Sequence, residues 1–151
     1  MKYELLMDSP VGVLTMKSDG ENLTELRFGD HRVGLDSCPI LKQAAEQVSE
    51  YFSGQRREFT IPLKAEGTAF QCKVWDALRS IPYGETATYA DVAGIVGNPK
   101  AYRAVGGANN RNPLAIVVPC HRVIGANGKL VGYAGGMDVK EYLLKLEQKH
   151  R

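Results

Sequence analysis

Pro119-Cys120-His121-Arg122-Val123 sets a thiol, an imidazole and a guanidinium on successive residues. A thiol is a strong nucleophile only as thiolate, and neighbouring cations lower its pKa. The cluster therefore carries its own means of activation. The apolar run Leu114-Ala115-Ile116-Val117-Val118 leads straight into it and reads as a buried strand. Three chemistries use such a cysteine. A hydrolase needs an oxyanion hole and a group that orients the histidine. A metal site needs further ligands, and the other histidines, His31 and His150, have no useful spacing. An alkyl acceptor needs a thiolate, a proton relay and a pocket.

Glu141 is the candidate orienter of His121. It also closes Asp138-Val139-Lys140-Glu141, a pattern that caps a helix at Asp138 and puts the glutamate in the first turn. Tyr89 and Tyr133 offer an aromatic body with a polar tip, suited equally to a site and to half-buried packing. Asn112-Pro113 reads as a turn into the apolar run. Cys38 and Cys72 lack cationic neighbours and read as small buried hydrophobes.

The elements around the cluster are mainly helical. Phe70, Val74, Trp75, Leu78 and Ile81 share one face of a helix over 68–81, which Pro82-Tyr83-Gly84 stops. Thr88 with Asp91 opens a second helix in a capping-box pattern. Asn98-Pro99 is expected to open a third, with Asn as N-cap and Pro at the first helical position. Two short helices joined by a tight turn form a helix-turn-helix shape. Gly125-Ala126-Asn127-Gly128-Lys129 reads as a hairpin, and a last helix carries Val139, Tyr142, Leu143 and Leu146.

The third helix is unusually slim. Lys100-Ala101-Tyr102-Arg103-Ala104-Val105-Gly106-Gly107-Ala108 offers small residues and one Arg where a major-groove helix would offer long polar side chains. Such a surface suits a close approach of backbone, as in a minor groove, or packing against another helix. Each glycine costs the helix roughly 1 kcal/mol against Ala, which asks for a reason.

The first part of the chain differs. Residues 3–7, 11–17 and 23–28 read as strands separated by turn signals, 40–52 as a helix, and 59–63 as a short extended segment. Nothing in it looks catalytic. Residues 1–64 carry a net charge of −2 and residues 65–151 a net of +4. From Val92 to Met137 there is no acidic residue, while Lys100, Arg103, Arg111, Arg122 and Lys129 fall there. That stretch suits a polyanion. Three cysteines without a CxxC pair argue against a disulfide scaffold or a zinc knuckle, and the absence of long apolar stretches argues against a signal peptide or membrane span. A cytoplasmic location is expected.

Several motifs together carry a resemblance. Phe70-Gln71…Val74-Trp75, Ile81-Pro82-Tyr83-Gly84-Glu85-Thr86, Arg103-Ala104-Val105-Gly106-Gly107-Ala108, Asn112-Pro113, Pro119-Cys120-His121-Arg122-Val123 and Gly132-Tyr133…Gly135-Gly136 run in order across about 65–147. This pattern resembles the O6-alkylguanine-DNA alkyltransferases. The resemblance implies an α+β fold: a small α/β, ribonuclease H-like domain over 1–64, then a helix-turn-helix, winged-helix-like domain over 65–151. It implies repair of O6-alkylguanine in duplex DNA, with O4-methylthymine a further candidate lesion. Cys120 would be the acceptor, with His121, a water and Glu141 as relay. Arg103 would fill the gap left by a flipped base, and Tyr89 would help protonate guanine N3. Asn112 would brace the cysteine loop.

The backbone carbonyls of Cys120 and Val123 would accept from the guanine amine. Tyr133 and Ala134 would line the pocket, the Ala134 N–H facing O6 where some members carry Ser. Asn98, Ala101, Ala104 and Gly106 would lie along the DNA. The resemblance implies no cofactor, no metal, no membrane partner and a monomer. Some members bind zinc through N-terminal Cys and His residues, for which this chain has only His31 and Cys38. The alternative is a non-catalytic lesion-binding relative, in which the acceptor cysteine is replaced.

Overall fold

The computed structural model describes residues 2–130, 132–133 and 135–151. The fold is mixed α and β, in two units. One comprises residues 1–66 with 113–117, the other residues 67–112 with 118–151.

In the first unit, β1 (Tyr3–Met7), β2 (Leu14–Ser18) and β3 (Leu23–Phe28) form an antiparallel meander. Leu5, Met16 and Leu26 stand opposite one another, so alternate residues share a face. The helix α1 (Pro39–Phe52) lays Leu41, Ala44, Val48 and Tyr51 on the sheet at helical spacing. Two outlying segments extend the meander through isolated bridges. Leu63 pairs with Leu23, which is all the ladder the expected segment 59–63 forms, and Leu114 pairs with Leu26.

The second bridge corrects the expected strand at 114–118. Only Leu114 joins the ladder. Val117 N–H then turns back to Ala115 O at 2.8 Å, and Ile116 takes a φ of 71°. That left-handed conformation is rare for a β-branched residue. The run is buried throughout, so its apolar character is explained without a strand. Residues 114–117 belong to the sheet unit, and the chain returns to the helical unit at Val118.

The second unit starts with Gly67, where a Cβ would lie 2.4 Å from the Trp75 ring. Thr68 and Gln71 form a reciprocal capping box for α2 (Ala69–Leu78). Thr88 and Asp91 do the same for α3 (Tyr89–Ile95). Ahead of α3, β4 (Ala87–Thr88) pairs in parallel with β5 (Val123–Ile124). The helix α4 (Tyr102–Asn110) begins later than Asn98-Pro99 suggests. Ala101 N–H closes a turn on Asn98 O at 2.9 Å, and Gly97 supplies a φ of 84°, so residues 97–101 form the connector.

Trp75 Nε1 donates to Ala108 O at 2.9 Å and ties α4 to α2. In place of the expected hairpin, Gly125 N–H reaches Lys129 O at 2.8 Å around a turn in which Gly128 alone takes positive φ. The last helix, α5 (Met137–Lys149), starts after Gly136 at φ 93° and has no side-chain cap; Asp138 stands in its first turn. No described helix is long and apolar enough to cross a membrane.

Candidate active site

Cys120 opens a single 3-10 turn, Cys120–Arg122, that runs into β5. Its N–H donates to Val118 O at 2.8 Å, and Arg122 N–H donates to Pro119 O at 3.0 Å. Asn112 Nδ2 donates to Val118 O at 2.9 Å, bracing the approach. Asn109 Nδ2 donates to the Cys120 carbonyl at 3.4 Å. Because β5 pairs with β4, the same short sheet holds Val123 beside Ala87, one residue before Thr88, the cap of α3. The turn thus carries the thiol and is registered to the helix that begins at Tyr89.

The side chains sort by burial. Cys120, His121 and Arg122 are all buried. Burial pushes the Cys120 thiol up, while hydrogen bonds from Asn112 and Tyr133 and the charge of Lys140 pull it down without overcoming that rise. The resting group is a neutral thiol. The expected lowering by the adjacent cations is not what prevails, because Arg122 is engaged elsewhere. Its Nε donates to Glu147 Oε1 at 2.8 Å, its second terminal nitrogen to Glu147 Oε2 at 3.2 Å and its first to Ile81 O at 2.7 Å. The guanidinium also lies over the Tyr83 ring, 5.6 Å from its centroid.

Glu147 corrects the choice of Glu141 as the orienter. His121 Nε2 donates to Glu147 Oε2 at 2.6 Å, both groups being buried. Glu141 is half exposed and pairs with Lys145 at 2.8 Å. The reason is helical phase. Lys140, Leu143 and Glu147 fall at i, i+3 and i+7 on the inward face of α5, whereas Glu141 and Lys145 share the outward face. Burial works against ionisation of Glu147, but His121 and Arg122 outweigh it and hold the carboxyl down at about 2. An ionised carboxylate only accepts, so His121 Nε2 carries the proton. Burial lowers the His121 pKa further than Glu147 raises it. The imidazole is therefore neutral, with its lone pair on Nδ1. That nitrogen is buried and has no partner among the described residues.

Lys140 is fully buried and donates to the Val123 carbonyl at 2.5 Å. Burial lowers its pKa, and the nearby Cys120 raises it. Sequence reading missed Lys140 and Glu147. Their signal was polar residues at the core spacing of an amphipathic helix. Tyr89 is half-buried at the start of α3, its ring 3.7 Å from where a Gly106 Cβ would stand. Burial, and the Cys120 charge when it forms, keep its hydroxyl protonated. Tyr133 reaches the thiol; Ala134 lies outside the described residues.

Asn98, Arg103 and Ala104 are exposed, Ala101 and Gly106 partly so, all on or ahead of α4. Among the described residues no cluster of three His, Cys, Asp or Glu side chains stands close enough to hold a metal ion.

A buried thiol next to a histidine held by a carboxylate follows two short helices joined by a tight turn. Residues 69–149 match the family described as 6-O-methylguanine DNA methyltransferase, DNA binding domain, and residues 1–65 match its ribonuclease-like domain. The chain belongs to the 6-O-methylguanine DNA methyltransferase family. It is 50% identical over 152 residues to the methylated-DNA–protein-cysteine methyltransferase of Methanosarcina acetivorans, covering 96% of this chain and 97% of that one. The constitutive enzyme of that name from Bacillus subtilis is 45% identical over 160 residues, covering 98% and 96%. The crystal structure of Mycobacterium tuberculosis O6-methylguanine methyltransferase superposes with a TM-score of 0.91 at 45% identity, covering 100% of this chain and 95% of that one. A crystal structure of the Mycobacterium tuberculosis protein in complex with DNA has a TM-score of 0.91 at 47% identity, covering 98% and 94%.

Proposed function

We propose that this chain repairs DNA by direct reversal, moving the alkyl group of O6-alkylguanine to the sulfur of Cys120. The observation that carries the reading is a buried thiol followed directly in the chain by a buried histidine whose tautomer Glu147 fixes. The Cys120 proton passes to His121 Nδ1, by way of a water as the family resemblance implies. The thiolate attacks the alkyl carbon, the S–C bond forms and the C–O6 bond breaks. The electron pair left on guanine is taken up with a proton at N3, supplied by the Tyr89 hydroxyl, and exchange of that proton for one on N1 through solvent gives guanine. Tyr89 is then reprotonated from solvent and His121 loses its extra proton. The balance is thiol plus O6-alkylguanine giving thioether plus guanine. A thioether sulfur is a poor leaving group, so each chain acts once.

A base inside the duplex cannot reach a buried thiol. The base must be extruded, at a cost of a few kcal/mol. Arg103, exposed on the slim face of α4, offsets that cost by entering the stack, a role that its length and charge support. The Val123 carbonyl, held by Lys140, and the Cys120 carbonyl, held by Asn109, are acceptors suited to the guanine amine. A second reading, a lesion-binding relative without chemistry, is disfavoured by Cys120 itself. The partner is duplex DNA, and the chain acts as a monomer.

The test is intact-protein mass spectrometry after incubation with duplex DNA containing O6-methylguanine. One added methyl group on the Cys120 peptide is expected, and none on the Cys120→Ala protein. Methyl transfer by Cys120→Ala at the parent rate would sink the assignment.

A further inference from the structure

Tyr102 is the first residue of α4 and is 49% exposed. Nothing in the fold accounts for it. No hydrogen bond, ion pair or ring contact holds its side chain among the described residues. Beyond Tyr102 and Arg103, the exposed residues of α4 are Ala104, Gly107 and Asn110, and a Cβ added at Gly107 would meet nothing within 4 Å. Two long side chains thus stand out from the first turn of a helix whose face is otherwise small.

We propose that Tyr102 is a second DNA-contacting residue, packing its ring in the groove beside the nucleotide that Arg103 displaces. This rests on the reading of α4 as the DNA-facing helix. Successive helical residues project about 100° apart, so Tyr102 cannot enter the gap that Arg103 fills. It reaches the sugar or base of a neighbouring nucleotide, since bases along a strand rise by about 3.4 Å each.

The surroundings fit that occupant. The first turn of α4 holds no acidic residue, and Lys100 and Arg111 stand exposed at either end of the helix. Polyanionic backbone is attracted there by charge and by the positive end of the helix. A tyrosine suits the remaining role. Its ring packs against the deoxyribose and the groove wall whatever the sequence, which suits a protein that must meet lesions in every sequence context. Its hydroxyl can donate to a phosphate or sugar oxygen. The ring carries no charge, so its contribution is not screened by salt as those of Arg103 and Lys100 are.

Three variants, Tyr102→Ala, Tyr102→Phe and Arg103→Ala, are compared with the parent. Single-turnover methyl transfer is measured from O6-methylguanine in a duplex, and benzyl transfer from free O6-benzylguanine. Removing a packed aromatic contact is expected to slow duplex repair about tenfold in Tyr102→Ala, the equivalent of about 1.4 kcal/mol. Reaction with the free base stays at the parent rate, and Tyr102→Phe recovers most of the duplex rate. The slope of duplex affinity against log salt stays that of the parent, because no phosphate-neutralising charge is lost. Duplex repair at the parent rate in Tyr102→Ala would overturn the proposal, as would equal losses on duplex and free base. If Arg103→Ala also repairs duplex at the parent rate, the reading of α4 itself fails. If only Arg103→Ala is impaired, that reading stands and Tyr102 alone is refuted.

Discussion

His121 Nε2 donates to Glu147 Oε2 at 2.6 Å, and the same carboxylate takes two nitrogens of Arg122. One buried carboxylate therefore sets the tautomer of the general base and balances a buried guanidinium. It also accepts Gly84 N–H at 3.2 Å, while Gln148 Nε2 donates to Gly84 O at 2.7 Å, so α5 and the turn after α2 are fastened at one point.

Glu147→Gln keeps the shape and removes the charge. Loss of a general-base partner is expected to slow transfer about a hundredfold. Leaving Arg122 buried without its anion should lower stability by about 3 kcal/mol. Glu141→Gln breaks only a surface pair, and should leave stability and rate close to those of the parent. Stopped kinetics and thermal melts on the two variants separate the roles. A slow Glu141→Gln with a fast Glu147→Gln would reverse the assignment.

Tyr89 and Arg103 act at different stages. If the Tyr89 hydroxyl protonates the departing guanine, Tyr89→Phe must slow transfer from duplex and from free O6-benzylguanine alike, by about tenfold or more. If Arg103 serves extrusion, Arg103→Ala slows the duplex reaction alone. Rates on both substrates check the pair, and a Tyr89→Phe loss confined to duplex would move that residue from chemistry to DNA contact.

Local signals were the most legible in the sequence. The Thr88–Asp91 box, the three strands of the meander and the face of α2 depend on residues a few positions apart, and the structure forms each of them. What depends on distant partners was harder to read. The run at 114–118 is apolar because it is buried throughout, not because it is a strand. Asn98-Pro99 carries the marks of a helix start, yet the turn closed by Ala101 N–H comes first. Arg122 beside Cys120 looks like an activator until Glu147, 25 residues on, claims it. The acceptor cysteine and its histidine were legible because they are neighbours. The carboxylate was not, because only the packing of α5 brings it to them.

The first unit has its own buried carboxylate. Glu4 accepts from Val33, Gly34 and Leu35 N–H at 2.6–3.1 Å, and lies 3.8 Å from Lys17. The Leu35 N–H chiefly, with those of Val33 and Gly34, outweighs burial and holds the Glu4 carboxyl below its ordinary 4.5. A depressed carboxyl stabilises the fold above its unfolded value, and that contribution is lost as pH falls through the folded one. Glu4→Gln should therefore melt below the parent at pH 7. The gap should close as pH drops below about 4.5. Thermal melts across pH 3–7 check this, and a gap that does not depend on pH would mean that shape rather than charge holds the 33–35 loop.

The pH dependence of transfer distinguishes a resting thiol from a resting thiolate. Burial raises Cys120 from 9.0 and lowers His121 from 6.5. The two move apart, so between those values the thiol is protonated and the imidazole free to receive its proton. Proton transfer inside that pair leaves the net charge unchanged, and the rate should be flat over the window. Below it, His121 becomes protonated, Nδ1 can no longer accept, and the rate falls. A resting ion pair would instead show thiolate absorbance near 240 nm at pH 7 and react rapidly with iodoacetamide. Little thiolate absorbance at pH 7, with a flat rate from about pH 6.5 to 9, is the expected result. A rate that climbs steadily through that range would mean that Cys120 must lose its proton to solvent before the alkyl group moves, and that His121 is not its acceptor.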